Sequence, residues 1–125
     1  MRRDWELIRT ILLQVEGNST SMHDWIDPIE SDGHGVEVVS HHVWLLYNGG
    51  YLEAIDLSTM DGMDWRPKCL TWAGEEFLAD IRERDIWERT LEIARKGGTA
   101  SLAALADIAK TLATKKLQKF LELDE

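Results

Sequence analysis

The 125 residues include one cysteine, Cys69, so no internal disulfide can form and a reducing cytosol is the expected compartment. No apolar run approaches the roughly 20 residues that cross a bilayer. The opening Met1-Arg2-Arg3-Asp4-Trp5-Glu6 enters an amphipathic pattern without the apolar stretch of a secretory signal, so no membrane association is expected. Glycine spacing matches neither a phosphate-cradling loop nor a dinucleotide fingerprint. Ser40 and His41 are neighbours, but on an expected helix and not on the sharp turn that exposes a nucleophilic serine. Repeats and low-complexity segments are absent. These absences point away from an enzyme and from any cofactor.

What is present centres on residues 36–72. Val36, Val39, Val43, Leu46 and Tyr47 share one face of a 3.6-residue period, flanked by Val38, His42 and Leu45. This predicts a helix buried over more than half its circumference. Asn48-Gly49-Gly50 stops it. Residues 51–55 read as a short strand, residues 58–67 as a turn-rich loop tipped by Asp61-Gly62, and residues 68–71 as the returning strand. Thr71 is placed to cap the next helix through its hydroxyl.

A first helix is expected over residues 3–15, ended by Gly17-Asn18, with Trp5, Ile8, Leu12 and Val15 on one face. Residues 23–30 read as extended, and Pro28 confines them to an edge. Residues 31–35 form a loop. After Thr71 the helix continues to Ile81. Asp85 and Glu88 have the spacing of a capping box, opening a helix to Lys96. Gly97-Gly98 breaks the chain, and Ser101 caps a last helix over 102–121 with Leu105, Ile108, Ala109, Leu112, Leu117 and Phe120 as its stripe. That helix is free to pack on the domain or against a second copy as a homodimer. The expected fold is α+β and mostly α. It is one domain over 1–125, with a winged-helix-like core over 3–82 and additional helices over 83–125. The wing sheet has two strands, or three if residues 23–30 join.

The block Leu45-Leu46-Tyr47-Asn48-Gly49-Gly50-Tyr51-Leu52 followed by Leu70-Thr71-Trp72-Ala73-Gly74 resembles the helix, wing and next helix of winged-helix regulators. The whole chain also resembles a bacterial and phage family catalogued as domain of unknown function 2513. Three pieces carry that likeness: residues 1–9, His41-His42-Val43-Trp44-Leu45-Leu46 before Gly50, and residues 70–78 leading into Ile81-Arg82 and Trp87. The resemblance implies a prophage-associated, winged-helix-like protein and no catalytic residues.

His41 and His42 point about 100° apart on a helix, so they do not share one ion easily. His23, His34 and Cys69 lack the close pairing of zinc ligands. His42 is expected in the core, bonded through a ring nitrogen, and His41 in solvent. Asp24, Asp27, Glu30 and Asp32 do not match a calcium loop and read as a solvated edge. Of six tryptophans, Trp5, Trp44, Trp72 and Trp87 are expected in the core. Trp25 and Trp65 are the candidate interaction residues, with Arg66 and Lys68 beside them. An exposed Trp65 would form a hot spot; a folded-back one would cover the sheet.

Positive charge is scarce where a winged helix would need it. The net charge is −9, and residues 17–78 hold only Arg66 and Lys68 against eleven acids. The expected recognition helix carries no lysine or arginine, although phosphate contacts supply most non-specific affinity. Charge therefore disfavours nucleic acid and a DNA-binding regulator of the winged-helix class, which stands as the alternative. It favours a non-enzymatic protein–protein interaction or accessory module with an unidentified protein partner.

Overall fold

The computed structural model describes residues 3–98 and 101–123. Along them run α1 (Trp5–Asn18), α2 (Val36–Asn48), β1 (Leu52–Asp56), β2 (Trp65–Leu70), α3 (Trp72–Ile81), α4 (Arg84–Lys96) and α5 (Leu102–Leu123). The protein is mostly helical with one two-stranded antiparallel sheet, the α+β class its periodicities predict. It divides into two compact units, Met1–Glu75 and Glu76–Glu125.

In the first unit, Asp4 precedes α1 in extended conformation, and its carboxylate accepts the Leu7 N–H at 3.1 Å. It is therefore the N-cap and not a first-turn residue. Gly17 and Asn18, expected to stop the helix, form its last turn, closed by the Ser19 N–H on the Val15 carbonyl. Leu7, Ile8, Ile11, Leu12 and Val15 are buried. On α2 the buried set is Val39, Ser40, His42, Val43 and Leu46. Val36 is 65% exposed despite its place on the apolar stripe. As the first helical residue, its side chain leans back past the helix end. Gly50 turns the chain at φ +86°, and the N–H groups of Gly49, Gly50 and Tyr51 satisfy the last carbonyls of α2.

The strands pair from Leu52↔Leu70 to Asp56↔Trp65, with a register shift at Glu53/Ala54 that leaves Lys68 as the extra residue. β2 begins at Trp65, three residues before the expected strand, and Thr59 bridges Gly62 across the loop tip. Residues 19–35 contain no helix or strand. Their one backbone bond to the sheet runs from the Ile26 N–H to the Pro67 carbonyl at 2.9 Å, so the optional third strand does not form. Thr71 Oγ1 donates to the Gly50 carbonyl at 2.6 Å and accepts the Gly74 N–H at 3.1 Å, the cap its position predicts. Gly74 lies so close to the residue that leads into β1 that a Cβ there would stand 1.8 Å from the Tyr51 carbonyl oxygen. Trp72, expected in the core, is 78% exposed.

The second unit contains an antiparallel helical hairpin of α4 and α5. α4 starts one residue before the expected capping box, with Glu83 and not Asp85 at the N-cap position. Trp87, Thr90 and Ala94 are buried on α4, and Leu105 and Ala109 on α5. Thr90 Oγ1 donates to the Ile86 carbonyl at 2.7 Å, which satisfies its buried hydroxyl. Ser101 Oγ accepts the Ala104 N–H at 3.2 Å, capping α5 as expected. Lys116 binds the carboxylates of Glu83 and Asp85, tying α5 to the start of α4.

Candidate functional site

One grouping of histidines with a carboxylate suggests chemistry, and its hydrogen bonds account for it. The α1 N-cap brings Asp4 against two histidines distant in sequence. Its Oδ2 lies 2.7 Å from His34 Nε2, and His34 Nδ1 lies 3.1 Å from Ser31 Oγ. Its backbone N–H donates to Nε2 of the fully buried His42 at 2.8 Å, while His42 Nδ1 lies 2.8 Å from the Val38 carbonyl. A carbonyl can only accept, so the hydrogen sits on His42 Nδ1 and Nε2 is the acceptor. Both ring nitrogens are thus spent, as expected for a core histidine. The bond from His34 is the main cause that holds the Asp4 carboxyl below its ordinary range, against a smaller opposing effect of burial. Serine, histidine and aspartate are joined here, yet the aspartate caps α1 and the serine sits in the turn of the histidine it touches. The arrangement braces α1 against the entry to α2.

The other titratable groups stay apart. His23 is exposed. His41, expected in solvent, is half-buried and stacks on Trp44 at 5.8 Å; burial lowers its pKa, with His42 adding to the effect. The half-buried Cys69 thiol is pushed up by burial, then by Glu53 and Glu75, which makes it a poor nucleophile. Asp24, Asp27, Glu30 and Asp32 are exposed, and among the described residues no group of three or more His, Cys, Asp or Glu side chains converges on a metal position.

Of the four candidate interaction residues, the fold gathers three loosely and sets the fourth aside. Trp25 is 48% exposed and edges a surface hollow of about 440 Å³ with Gln14, Asn18 and Pro28. Its neighbour Ile26 bonds to β2 between Arg66 and Lys68. Arg66 is held by a two-point contact with Asp64, at 3.2 and 3.1 Å, and Asp27 adds to the field upon it. Trp65 turns to α2 instead. Its ring lies 5.3 Å from that of Tyr47, and its backbone N–H donates to Ser40 Oγ at 3.2 Å. It is half-buried over the sheet.

The surface that residue-by-residue reading missed lies on the second unit. Two hollows of about 500 and 270 Å³ run along one side of the α4–α5 hairpin and share Leu112 and Lys115. Past Lys116, α5 outruns its neighbour. At 1.5 Å per residue its 22 residues extend about 33 Å against about 20 Å for the 13 of α4. Leu117, Phe120 and Leu121 on that overhang are 60%, 58% and 60% exposed, although Leu117 and Phe120 belong to the expected apolar stripe of the helix. The signal available in the sequence was the difference in length between the two helical segments.

The class defined by this geometry is a small α+β protein whose titratable clusters serve as caps and braces and whose helical hairpin keeps apolar surface in water. Among the described residues no helix is long and apolar enough to cross a membrane. The chain belongs to the family described as "Hypothetical protein (DUF2513)", whose model matches residues 2–100. A relative from Haemophilus influenzae, printed as "Uncharacterized protein", is 36% identical over 118 residues, covering 94% of this chain and 99% of its own length. No solved structure matches.

Proposed function

We propose that this protein is a non-enzymatic protein–protein interaction module, an accessory protein of prophage type acting in the cytoplasm. The observation that carries the reading is the uncovered apolar surface of the α4–α5 hairpin and its overhang. Monomeric proteins seldom leave large contiguous apolar patches in water without a partner. The use of Asp4, His34 and His42 in internal bonds supports the non-enzymatic part. The helix–hairpin–helix order of the first unit supports a winged-helix-like description of it, and the prophage assignment rests on the resemblance of residues 1–9, 41–46 and 70–78.

Photo-crosslinking in living cells tests the reading. A photoreactive residue placed at Leu112 or at Leu117 is expected to give a discrete heavier adduct, and one at the exposed Glu16 is not. No adduct from either apolar position would remove the proposal.

A further inference from the structure

Resting on that reading, we propose that the groove between α4 and α5 receives an amphipathic helix of a partner protein whose flanks are acidic. On α4, Ile86, Arg89 and Ile93 follow one another at i, i+3 and i+7 along the groove; on α5, Ile108, Leu112, Lys115 and Lys119 follow at i, i+4, i+7 and i+11. Each series is a single stripe of its helix. The two stripes line the pair of hollows that meet at Leu112 and Lys115, with Ile86, Ile93, Ile108 and Leu112 as their apolar side chains and Arg89, Lys115, Lys116 and Lys119 as their bases. From Ile108 to Lys119 the groove runs about 17 Å, or three turns of a docked helix. Two helices side by side present the seam that a third helix fills, and such grooves are read by apolar anchors at i, i+3 or i+4, and i+7.

Charge selects the occupant. Two acids line the groove: Asp85, which Lys116 already binds together with Glu83, and Asp107 at the opposite end from Lys119. Arg89 has only a long contact to Glu92, 3.8 Å, and its side chain is 61% exposed. Among the described residues neither Lys115 nor Lys119 has an ion-pair partner. Among the described residues two bases, Lys115 and Lys119, therefore stand without an ion pair at this groove and a third, Arg89, has only a long one, in a chain of net charge −9. Their positions would meet carboxylates one turn apart on the flank of a docked helix. A bilayer also attracts lysines beside apolar residues, but a flat surface leaves a concave groove of this size unfilled.

Fluorescence anisotropy with the full chain and two synthetic 14-residue helical peptides tests this. Both peptides carry the same leucine stripe; one is flanked by glutamates, the other by lysines. Exposed ion pairs each contribute about 0.2–1 kcal/mol, so three of them predict about tenfold tighter binding of the acidic peptide, decreasing with salt. The double variant Lys115→Glu/Lys119→Glu, at two exposed positions that leave the fold intact, is expected to reverse the preference. Leu112→Asp is expected to weaken both peptides. Equal affinity for the two peptides, no binding of either, or indifference to the charge reversal would overturn the proposal. So would a dimer of the chain alone, seen by sedimentation and dissolved by the double variant, or binding to vesicles with anionic lipid in place of the peptides. Adducts in cells from Leu112 with no peptide preference here would leave the interaction module standing and remove only the acidic helix.

Discussion

Asp4 and Asp80 are the same residue type with opposite consequences. Asp4 accepts from His34 and from the Leu7 N–H, and its pKa is lowered. Its contribution is therefore present above the unfolded value of about 3.9 and is lost as pH falls through the lower folded value. Asp80 on α3 is half-buried, and burial, then the neighbouring Glu76, raises its pKa. Its ionised form is the unfavourable one, so its penalty is present above the raised folded value and vanishes below the unfolded one. Asp4→Ala, which also removes the cap, is expected to lower stability at pH 7 by about 1 kcal/mol. Asp80→Asn is expected to raise it. Urea unfolding of both variants from pH 7 down to pH 3 checks the signs: the two differences from the parent shrink toward each other in acid.

At the scale of elements, the close approach of the start of α3 to the turn before β1 depends on Gly74. A Cβ at that position would meet the backbone of Tyr51 at 1.8 Å, and backbone cannot swing aside. Gly74→Ala is expected to cost about 3 kcal/mol or more, the upper end of overpacking. Gly17→Ala, on the last turn of α1 with nothing within 4 Å of a Cβ, is expected to stabilise by about 0.5–1 kcal/mol. Thermal melts of the pair give the comparison. The order of helices and strands was legible because apolar period, glycine stops and hydroxyl caps agree at each boundary. Exposure was less so. Trp72 lies about 180° around α3 from the buried Ile81, so phase placed it in water while residue type argued for the core. The Asp4–His34 contact joins positions 30 apart, and no local pattern announces it. Leu117 and Phe120 show the same limit: periodicity tells which face of a helix is apolar, not where its neighbour ends.

For the molecule as a whole, charge is divided unevenly between the two units. Met1–Glu75 carries five bases against thirteen acids, and Glu76–Glu125 nine against ten. The helix–hairpin pattern invites a comparison with DNA readers, but its side chains oppose it. Arg66, one of two bases in the central stretch, is already committed to Asp64. Titration with mixed duplex DNA near physiological salt is expected to give a dissociation constant no tighter than about 10⁻⁴ M, the weak end of non-specific binding. Micromolar affinity lost in Arg66→Glu and Lys68→Glu would instead restore a regulator.

The placement of tryptophan gives the two units separate optical voices. Trp5, Trp25, Trp44, Trp65 and Trp72 all fall within Met1–Glu75, half-buried or exposed, while the second unit has Trp87 alone, with no exposure at all. The blue edge of the emission spectrum therefore belongs mainly to the α4–α5 hairpin, and the red edge to the N-terminal unit. Acrylamide will quench the red component first. During denaturation, a single shift common to both edges means the units melt as one cooperative body, and two shifts in sequence reveal which unit lets go first, without any label being attached.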